Sequence, residues 1–239
     1  MRNHVSGGRS CHGPLPRGIS EYALMTERET MHIPTPLNWE QAAAMPLTSA
    51  VVFDMLVSQG RIKSGEWVLI TGVTFGVGVT ALSMAKALGA KVIGTSGSQD
   101  KLDQLKIMAL MSVFALANPI FMMPLATDNK GVDIVINTVG GTVFAECIRS
   151  MAFEGRLATV GYVDGVLKAE IDIEALHSKR LTLFGVSNKL RTQQQRSGAI
   201  PAFKAQILPL VEAGRIVPMI YKTFPFEQLL EAKAAVDAN

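Results

Sequence analysis

Residues 66–89 change from a strand pattern to a helix pattern, with glycines at the point of change. Residues 68–70 form a continuous apolar run, which is typical of a strand buried on both faces. Four apolar positions then recur at helical spacing: Val79, Leu82, Ala85 and Leu88. Gly89 is expected to end this helix, and residues 91–96 predict a second strand. The pattern therefore predicts a βαβ unit.

The turn inside this unit contains three glycines, Gly72, Gly76 and Gly78. A turn of this kind lets backbone N–H groups and the helix N-terminus face a pyrophosphate. A side chain at Gly76 or Gly78 is expected to block that approach. A turn with only a structural role is the alternative, but the complete βαβ pattern around the glycines favours dinucleotide binding.

Strand and helix patterns alternate through the rest of the central region. Further strands are predicted over residues 131–141, 155–161 and 179–188, and helices over 99–106 and 143–151. This alternation predicts an α/β fold with a parallel, doubly wound Rossmann sheet. Ligands of such sheets bind beyond the carboxyl ends of the strands. The residues at those ends are Gly72, Ser96, residues 137–141, Gly161, Ser187 and Asn188.

The flanking segments have weaker patterns. Residues 1–18 are rich in Gly, Pro and Arg and predict a loop. Asn38 is the expected cap of a helix that Pro46 ends, and a second helix follows over residues 47–59. In the tail we expect a helix over residues 202–213, a strand near 216–223 and a helix from residue 227.

Composition narrows the function classes. The chain has 239 residues, a net charge of +3, 48% hydrophobic and 18% charged residues, enough for one large or two ordinary domains. The positive charge is not clustered, so no nucleic-acid partner is expected. Cys11 and Cys147 suggest neither a disulfide framework nor a metal site. The N-terminus lacks the apolar core of a signal peptide, so a cytoplasmic protein is expected.

The end of the second strand bears on the choice of cofactor. NAD enzymes usually have an acidic residue there, which binds the ribose 2′-hydroxyl. Residues 95–98 are Thr-Ser-Gly-Ser, and the first carboxylate is Asp100, followed by Lys101. A 2′-phosphate would be tolerated and paired by Lys101, so the sequence favours NADPH over NADH.

Two dehydrogenase families have this glycine spacing. Short-chain dehydrogenases need a Tyr-x-x-x-Lys pair, in which the lysine lowers the pKa of the acidic tyrosine. Neither Tyr22, Tyr162 nor Tyr221 has a lysine four residues later. That family is therefore set aside.

The chain resembles the medium-chain dehydrogenase/reductase superfamily, in its zinc-free, quinone-oxidoreductase-like branch. The resemblance is carried by blocks in family order: 19–23, 33–34, 39–46, 68–78, 86–90, 137–141 and 155–161. It implies NADPH-dependent reduction of a quinone or activated enone, no metal, no membrane, and a homodimer formed through the apolar last strand. The implied cofactor-binding residues are Thr48, Gly72, Thr74, Phe75, Gly76, Val77, Gly78, Ser96, Lys101, Asn137, Val139, Gly161, Ser187 and Asn188.

The chain departs from this family at several points. Phe75 stands where the branch usually has a glycine, most of the GroES-like catalytic domain is missing, and the closing strand is absent. We therefore expect a chain truncated at both ends, with a GroES-like remnant over 1–46, a Rossmann domain over 47–188 and an incomplete catalytic segment over 189–239. No residue is assigned a catalytic role, and a nucleotide-binding remnant without turnover is the alternative function.

Residues 107–127 do not fit the family pattern. The segment has no charged residue and contains Pro119 and Pro124. These prolines disfavour both a membrane-spanning helix and the helix that the family has at this position. With suitable codons for 109–125, a one-base shift gives Gly-Leu-Asp-Val-Gly-Phe-Cys-Thr-Arg-Lys-Pro-Asp-Phe-Tyr-Asp-Ala-Val, an amphipathic product typical of the family. We therefore favour a local frameshift over a buried core segment, and resequencing the source DNA tests this.

Overall fold

A computed structural model describes residues 11–12, 25–107, 113–116 and 127–237, with an α/β sheet at its centre. The strands are β1 Cys11–His12, β2 Met31–His32, β3 Trp67–Thr71, β4 Lys91–Ser96, β5 Val113–Leu116, β6 Val132–Asn137, β7 Met151–Thr159 and β8 Thr182–Gly185. The helices are α1 Trp39–Phe53, α2 Gly76–Ala87, α3 Gln99–Ile107, α4 Phe144–Ser150, α5 Ile173–Ser178, α6 Gln193–Gly198, α7 Ile200–Gln206, α8 Leu208–Glu212 and α9 Leu229–Asp237. A π-helical turn, Asp54–Ser58, continues α1, and short 3₁₀ turns occur at Glu27–Glu29, Gly141–Val143 and Phe226–Gln228.

The six main strands form one parallel sheet in the order β5-β4-β3-β6-β7-β8. The chain moves outward from β3 to β5, then returns to β6 on the other side of β3. This reversal creates a crevice at the carboxyl ends of β3 and β6, where ligands of doubly wound sheets bind. In register, Thr71 of β3 pairs with both Thr95 of β4 and Asn137 of β6. The predicted α/β Rossmann fold is confirmed.

Both faces of the sheet are buried, which explains the continuous apolar run in β3. Val68 and Ile70 point into a core that includes residues of α1, α2, α7 and α8. Leu69, between them, points into the opposite core, which includes Cys147 and Ile148 of α4. Alternate residues of one strand thus hold two layers of helices in place.

The end of helix α1 differs from the end predicted from the sequence. Asn38 caps it as predicted: its Oδ1 accepts a hydrogen bond from the Gln41 N–H at 2.8 Å, and its N–H donates to Gln41 Oε1 at 3.2 Å. The helix does not end at Pro46, however, but runs through it to Phe53. Pro46 lacks the N–H that would bond four residues back, but it is buried, and the apolar residues on both sides pack into the core. This packing outweighs the local cost of the proline.

The C-terminal segment also differs from expectation. In place of one helix over residues 202–213 there are two, α7 and α8. Pro209, in the first turn of α8, has no N–H to continue the hydrogen-bond ladder of α7. The predicted strand near 216–223 is wrong, because these residues are irregular in the structure.

The segment that carries the frameshift hypothesis is described only in part. Val113–Leu116 pairs in parallel with β4 as the edge strand β5. Residues 108–112 and 117–126 lie outside the described part of the chain. Among the described residues, the helical stretch Trp39–Ser58 is long and apolar enough to cross a membrane, but it supplies buried residues to the core, as the core helix of a globular domain does.

Candidate functional site

Hydrogen bonds join the carboxyl ends of β3 and β6 at the crevice. The Thr138 hydroxyl donates to the Thr71 carbonyl at 2.6 Å, and the Thr71 hydroxyl donates to Asn137 Oδ1 at 3.1 Å. All three side chains are buried. Buried polar groups that satisfy one another hold a single geometry, so the starting points of the two loops that leave these strands are fixed.

The turn after β3 requires glycine at its first position. Gly72 has φ +66°, and a Cβ there would lie 2.5 Å from Thr138 Oγ1 and 2.6 Å from the Phe75 ring. The Phe75 N–H donates to the Gly72 carbonyl at 3.0 Å. Phe75 therefore closes the turn, and its ring occupies the space beside Gly72 that a side chain would need.

The N-terminus of α2 is open toward solvent. Phe75 is its N-cap in an extended conformation and provides no side-chain hydrogen bond. The first N–H groups of the helix, those of Gly76, Val77 and Gly78, have no partner in the helix ladder. Gly76 is exposed, and a Cβ on it would meet no protein atom within 4 Å. Unpaired N–H groups, the positive end of the helix dipole and open space together fit a pyrophosphate.

Gly78 has a different role from the one expected of it. A Cβ at Gly78 would lie 2.3 Å from the Gly72 carbonyl oxygen and 2.7 Å from Val73 Cα. The absent side chain would therefore collide with the protein's own backbone. Gly78 allows α2 to approach the turn after β3, whereas Gly76 leaves space for a ligand.

The end of β4 lies beside this turn. The hydroxyl oxygens of Thr74 and Ser96 are 2.9 Å apart, and Ser96 Oγ also accepts a hydrogen bond from the Ser98 N–H at 3.2 Å. Ser96 is buried. Lys101 lies in the first turn of α3, where its N–H is 3.4 Å from Ser98 Oγ. The structure thus brings Thr74 and Ser96 into contact and places Lys101 on the helix that follows them.

Asn137 is fully buried, and its side chain bonds within the protein. Its Oδ1 accepts from the backbone N–H groups of Val139 and Gly140, at 3.1 and 3.0 Å, in addition to the Thr71 hydroxyl. Its Nδ2 donates to the Gly140 carbonyl at 2.9 Å. These bonds shape the loop after β6. Val139, which is partly exposed on this loop, is better placed than Asn137 for contact with a ligand.

Asp164 links the loop after β6 to the loop after β7 by hydrogen bonds. The sequence alone does not predict this role. Asp164 Oδ2 accepts from the N–H of Thr142 at 2.8 Å and from its hydroxyl at 2.6 Å. Its Oδ1 accepts from the Val166 N–H at 2.9 Å. The hydrogen bond from the Thr142 side chain lowers the pKa of Asp164. The Asp-Gly pair at Asp164 and Gly165 indicates a turn, but nothing local indicates Thr142 as the partner.

Three of the remaining predicted residues follow strands at the same edge of the sheet, and the fourth, Thr48, lies on α1. Gly161 lies after β7, and a Cβ there would be 3.3 Å from the Thr138 carbonyl oxygen. Ser187 and Asn188 follow β8; Ser187 Oγ accepts from the Lys189 N–H, and Asn188 Oδ1 accepts from Arg191. Thr48 is partly buried on α1. Asn188 borders a separate cavity beside α1.

Few side chains at the site are suited to acid–base or metal chemistry. Within the described ranges, no three His, Cys, Asp or Glu residues are grouped so that they could hold a metal ion. Burial raises the pKa of the Cys147 thiol to about 12, which makes it a poor nucleophile at neutral pH. The arrangement is suited to binding and orienting a dinucleotide.

The chain is similar to known dehydrogenases and reductases. The model of a family described as zinc-binding dehydrogenase matches residues 76–204, more than half of the chain. The quinone oxidoreductase of Rattus norvegicus is 26% identical over 224 residues, which cover 93% of this chain and 66% of that protein. The acryloyl-coenzyme A reductase of Sulfurisphaera tokodaii is 28% identical over 222 residues, 92% of this chain and 62% of that protein. The chain therefore spans about two thirds of the length of these relatives.

A solved structure shows the same fold. The quinone oxidoreductase of Thermus thermophilus, whose structure was also solved with NADPH, superimposes with a TM-score of 0.83 at 22% identity. The match covers 97% of this chain and 74% of that one.

The two glycines of α2 allow a paired test. Gly76→Val is expected to leave the thermal unfolding midpoint nearly unchanged, because its Cβ meets no protein atom, and to weaken dinucleotide binding at least about tenfold. Gly78→Val is expected to lower the unfolding midpoint, because its Cβ overlaps the backbone. Thermal melts and NADPH fluorescence titrations measure both effects. A folded Gly76→Val protein with unchanged affinity would contradict the assignment.

Asp164 gives a pH-dependent prediction. Its pKa is lower in the folded than in the unfolded chain, so its contribution to stability is complete above the unfolded pKa and is lost as the pH falls through the folded pKa. The stability difference between wild type and Asp164→Asn should therefore shrink as pH falls below about 4. Urea unfolding over a pH series measures it, with the exposed Asp100→Asn as control. A difference that does not change with pH would rule out this role.

Proposed function

Because this chain belongs to the zinc-binding dehydrogenase family, as a quinone-oxidoreductase-like member of the medium-chain dehydrogenase/reductase superfamily, we propose that it binds NADPH and uses it to reduce a quinone or an activated enone. The observation that carries the proposal is the open N-terminus of α2 above Gly76. The names of two relatives, a quinone oxidoreductase and an acryloyl-coenzyme A reductase, support this class of acceptor.

The chain's own residues would bind and orient the reactants. N–H groups of Gly76, Val77 and Gly78 would hold the pyrophosphate, while the loops after β6 and β7 would position the nicotinamide near Val139 and Gly161. The bound nicotinamide supplies a hydride. In this proposal catalysis comes mainly from orientation and the exclusion of water.

The choice of NADPH rests on the end of β4. No carboxylate lies on residues 95–98 to hold a ribose 2′-hydroxyl, and Ser96 is bonded to Thr74 and Ser98. Lys101, at the start of α3, brings a positive charge to the same region. A 2′-phosphate is therefore favoured electrostatically over a 2′-hydroxyl.

Steady-state turnover and binding test the proposal together. We expect NADPH to bind more tightly than NADH and to be oxidised when a quinone or enone is added. Lys101→Glu should weaken NADPH binding roughly tenfold with little effect on NADH, and Lys204→Glu, an exposed lysine on α7, should change neither. Binding without oxidation by any acceptor would support a nucleotide-binding remnant. Failure to bind either cofactor would overturn both functions.

We also propose that the chain forms a homodimer through β8. Within the described residues, β8 pairs on one side with β7 and ends the sheet. Leu181, Leu183 and Phe184 make this edge apolar, and an apolar sheet edge favours strand pairing with a second copy. Light scattering on a size-exclusion column should give about twice the 25.7 kDa chain mass. A monomer that persists at high protein concentration would contradict the proposal.

A further inference from the structure

Two loops at the carboxyl edge of the sheet are joined by a carboxylate. They are residues 138–143 after β6 and residues 160–166 after β7, and we call them the paired loops. Asp164 Oδ2 in one loop accepts from both the N–H and the hydroxyl of Thr142 in the other, at 2.8 and 2.6 Å. Hydrogen bonds to an ionised carboxylate are stronger than those between neutral groups. The carboxylate is therefore a strong link between the two loops.

Backbone hydrogen bonds complete this link. The Asp164 N–H donates to the Val139 carbonyl at 3.0 Å, and the Gly141 N–H donates to the Val166 carbonyl at 3.1 Å. The Val139 N–H is itself bonded to Asn137 Oδ1 at 3.1 Å. Both backbone groups of Val139 are thus used within the protein, so its side chain is the part best placed to contact a ligand. The position of that side chain depends on the link between the loops.

The fit between the paired loops is close at two glycines. Gly140 has φ +131°, and a Cβ there would lie 2.1 Å from Asp164 Oδ1. A Cβ on Gly141 would lie 2.5 Å from Val166 Cγ1 and 2.8 Å from the Val166 carbonyl oxygen. The loop after β7 therefore lies directly against the backbone of the loop after β6. Because of this contact, a displacement of one loop also displaces the other.

The link does not extend to the region that would hold the adenosine end of a dinucleotide. Among the described residues, the side chains of Thr142 and Asp164 bond only to each other's residue and to Val166. None of these residues belongs to the glycine turn after β3 or to the end of β4, where Thr74 and Ser96 meet. Loosening the link should therefore disturb the paired loops and leave the phosphate-binding turn as it is.

We propose that Thr142 and Asp164 are positioning residues for the nicotinamide, because their hydrogen bond holds the paired loops in the arrangement in which Val139 and Gly161 confine the ring. This inference rests on the proposed function and deepens it. The two residues act through the loops and not on the reacting atoms. The fraction of time that the loops are ordered sets how often the bound ring is in position for hydride transfer.

Deletion of one hydroxyl tests this role. Thr142→Val nearly keeps the volume of the side chain and removes the donor, whereas Thr142→Ser keeps the donor. In titrations of the full chain, Thr142→Val should weaken NADPH binding at least about threefold. It should change the affinity for adenosine 2′,5′-bisphosphate, which has no nicotinamide, by less than about twofold. Thr142→Ser should restore most of the NADPH affinity. Thr30→Val, which removes a distant hydroxyl bonded to the Glu27 carbonyl, should change neither affinity.

The fluorescence lifetime of bound NADPH measures the confinement of the ring directly. At saturating NADPH, Thr142→Val should shorten this lifetime toward that of free NADPH, because the ring moves more freely. A residue that only stabilised the fold would not change the lifetime in folded protein. In an Asp164→Ala background, Thr142→Val should have little further effect on the lifetime or on NADPH affinity, because the two residues act as a unit.

The outcomes separate this inference from the proposed function. If the wild type binds NADPH and folded Thr142→Val shows the same affinity and lifetime, the positioning role is wrong and the proposed function stands. Equal weakening of NADPH and adenosine 2′,5′-bisphosphate would indicate a general structural role and would also refute the inference. A wild type that binds neither compound would overturn the proposed function, and this inference with it.

Discussion

The approach of α2 to the end of β3 is the constraint on which the nucleotide region depends. A Cβ at Gly78 would lie 2.3 Å from the Gly72 carbonyl oxygen, so the backbone of the helix approaches the backbone of the turn directly. This contact fixes the direction of α2 and places its first N–H groups at the crevice beside β6. The open space above Gly76 exists because Gly78 holds the helix in this position.

Side chains around the crevice mainly shape the backbone. Asn137 uses its amide to form the loop after β6, and Asp164 joins that loop to the one after β7. On the loops after β6 and β7, backbone N–H groups and partly exposed apolar residues such as Val139 face the crevice. A site of this kind is suited to a cofactor that carries its own chemistry, because the protein needs only to bind it, orient it and exclude water.

The cavity beside α1, whose lining includes Glu29 and Arg196, is built in a different way. It depends on contacts between segments far apart in the chain, since Glu29 and Arg196 are brought together by α1, α6 and α7. Its Phe53–Phe203 contact belongs to the same core that supports one face of the sheet. The packing that holds the C-terminal helices against α1 therefore also forms the cavity.

The sequence by itself determined the βαβ unit, the doubly wound sheet and the glycine turn, because hydrophobic period and glycine position act over a few neighbouring residues. The tertiary structure alone decided that α1 continues through Pro46, that residues 216–223 form no strand, and that Gly78 serves packing while Gly76 leaves space. It also decided the bonds of Asp164 to Thr142 and the approach of Glu29 to Arg196. These outcomes depend on burial and on partners distant in sequence, whose energies outweigh local preference and leave no periodic signal in the chain.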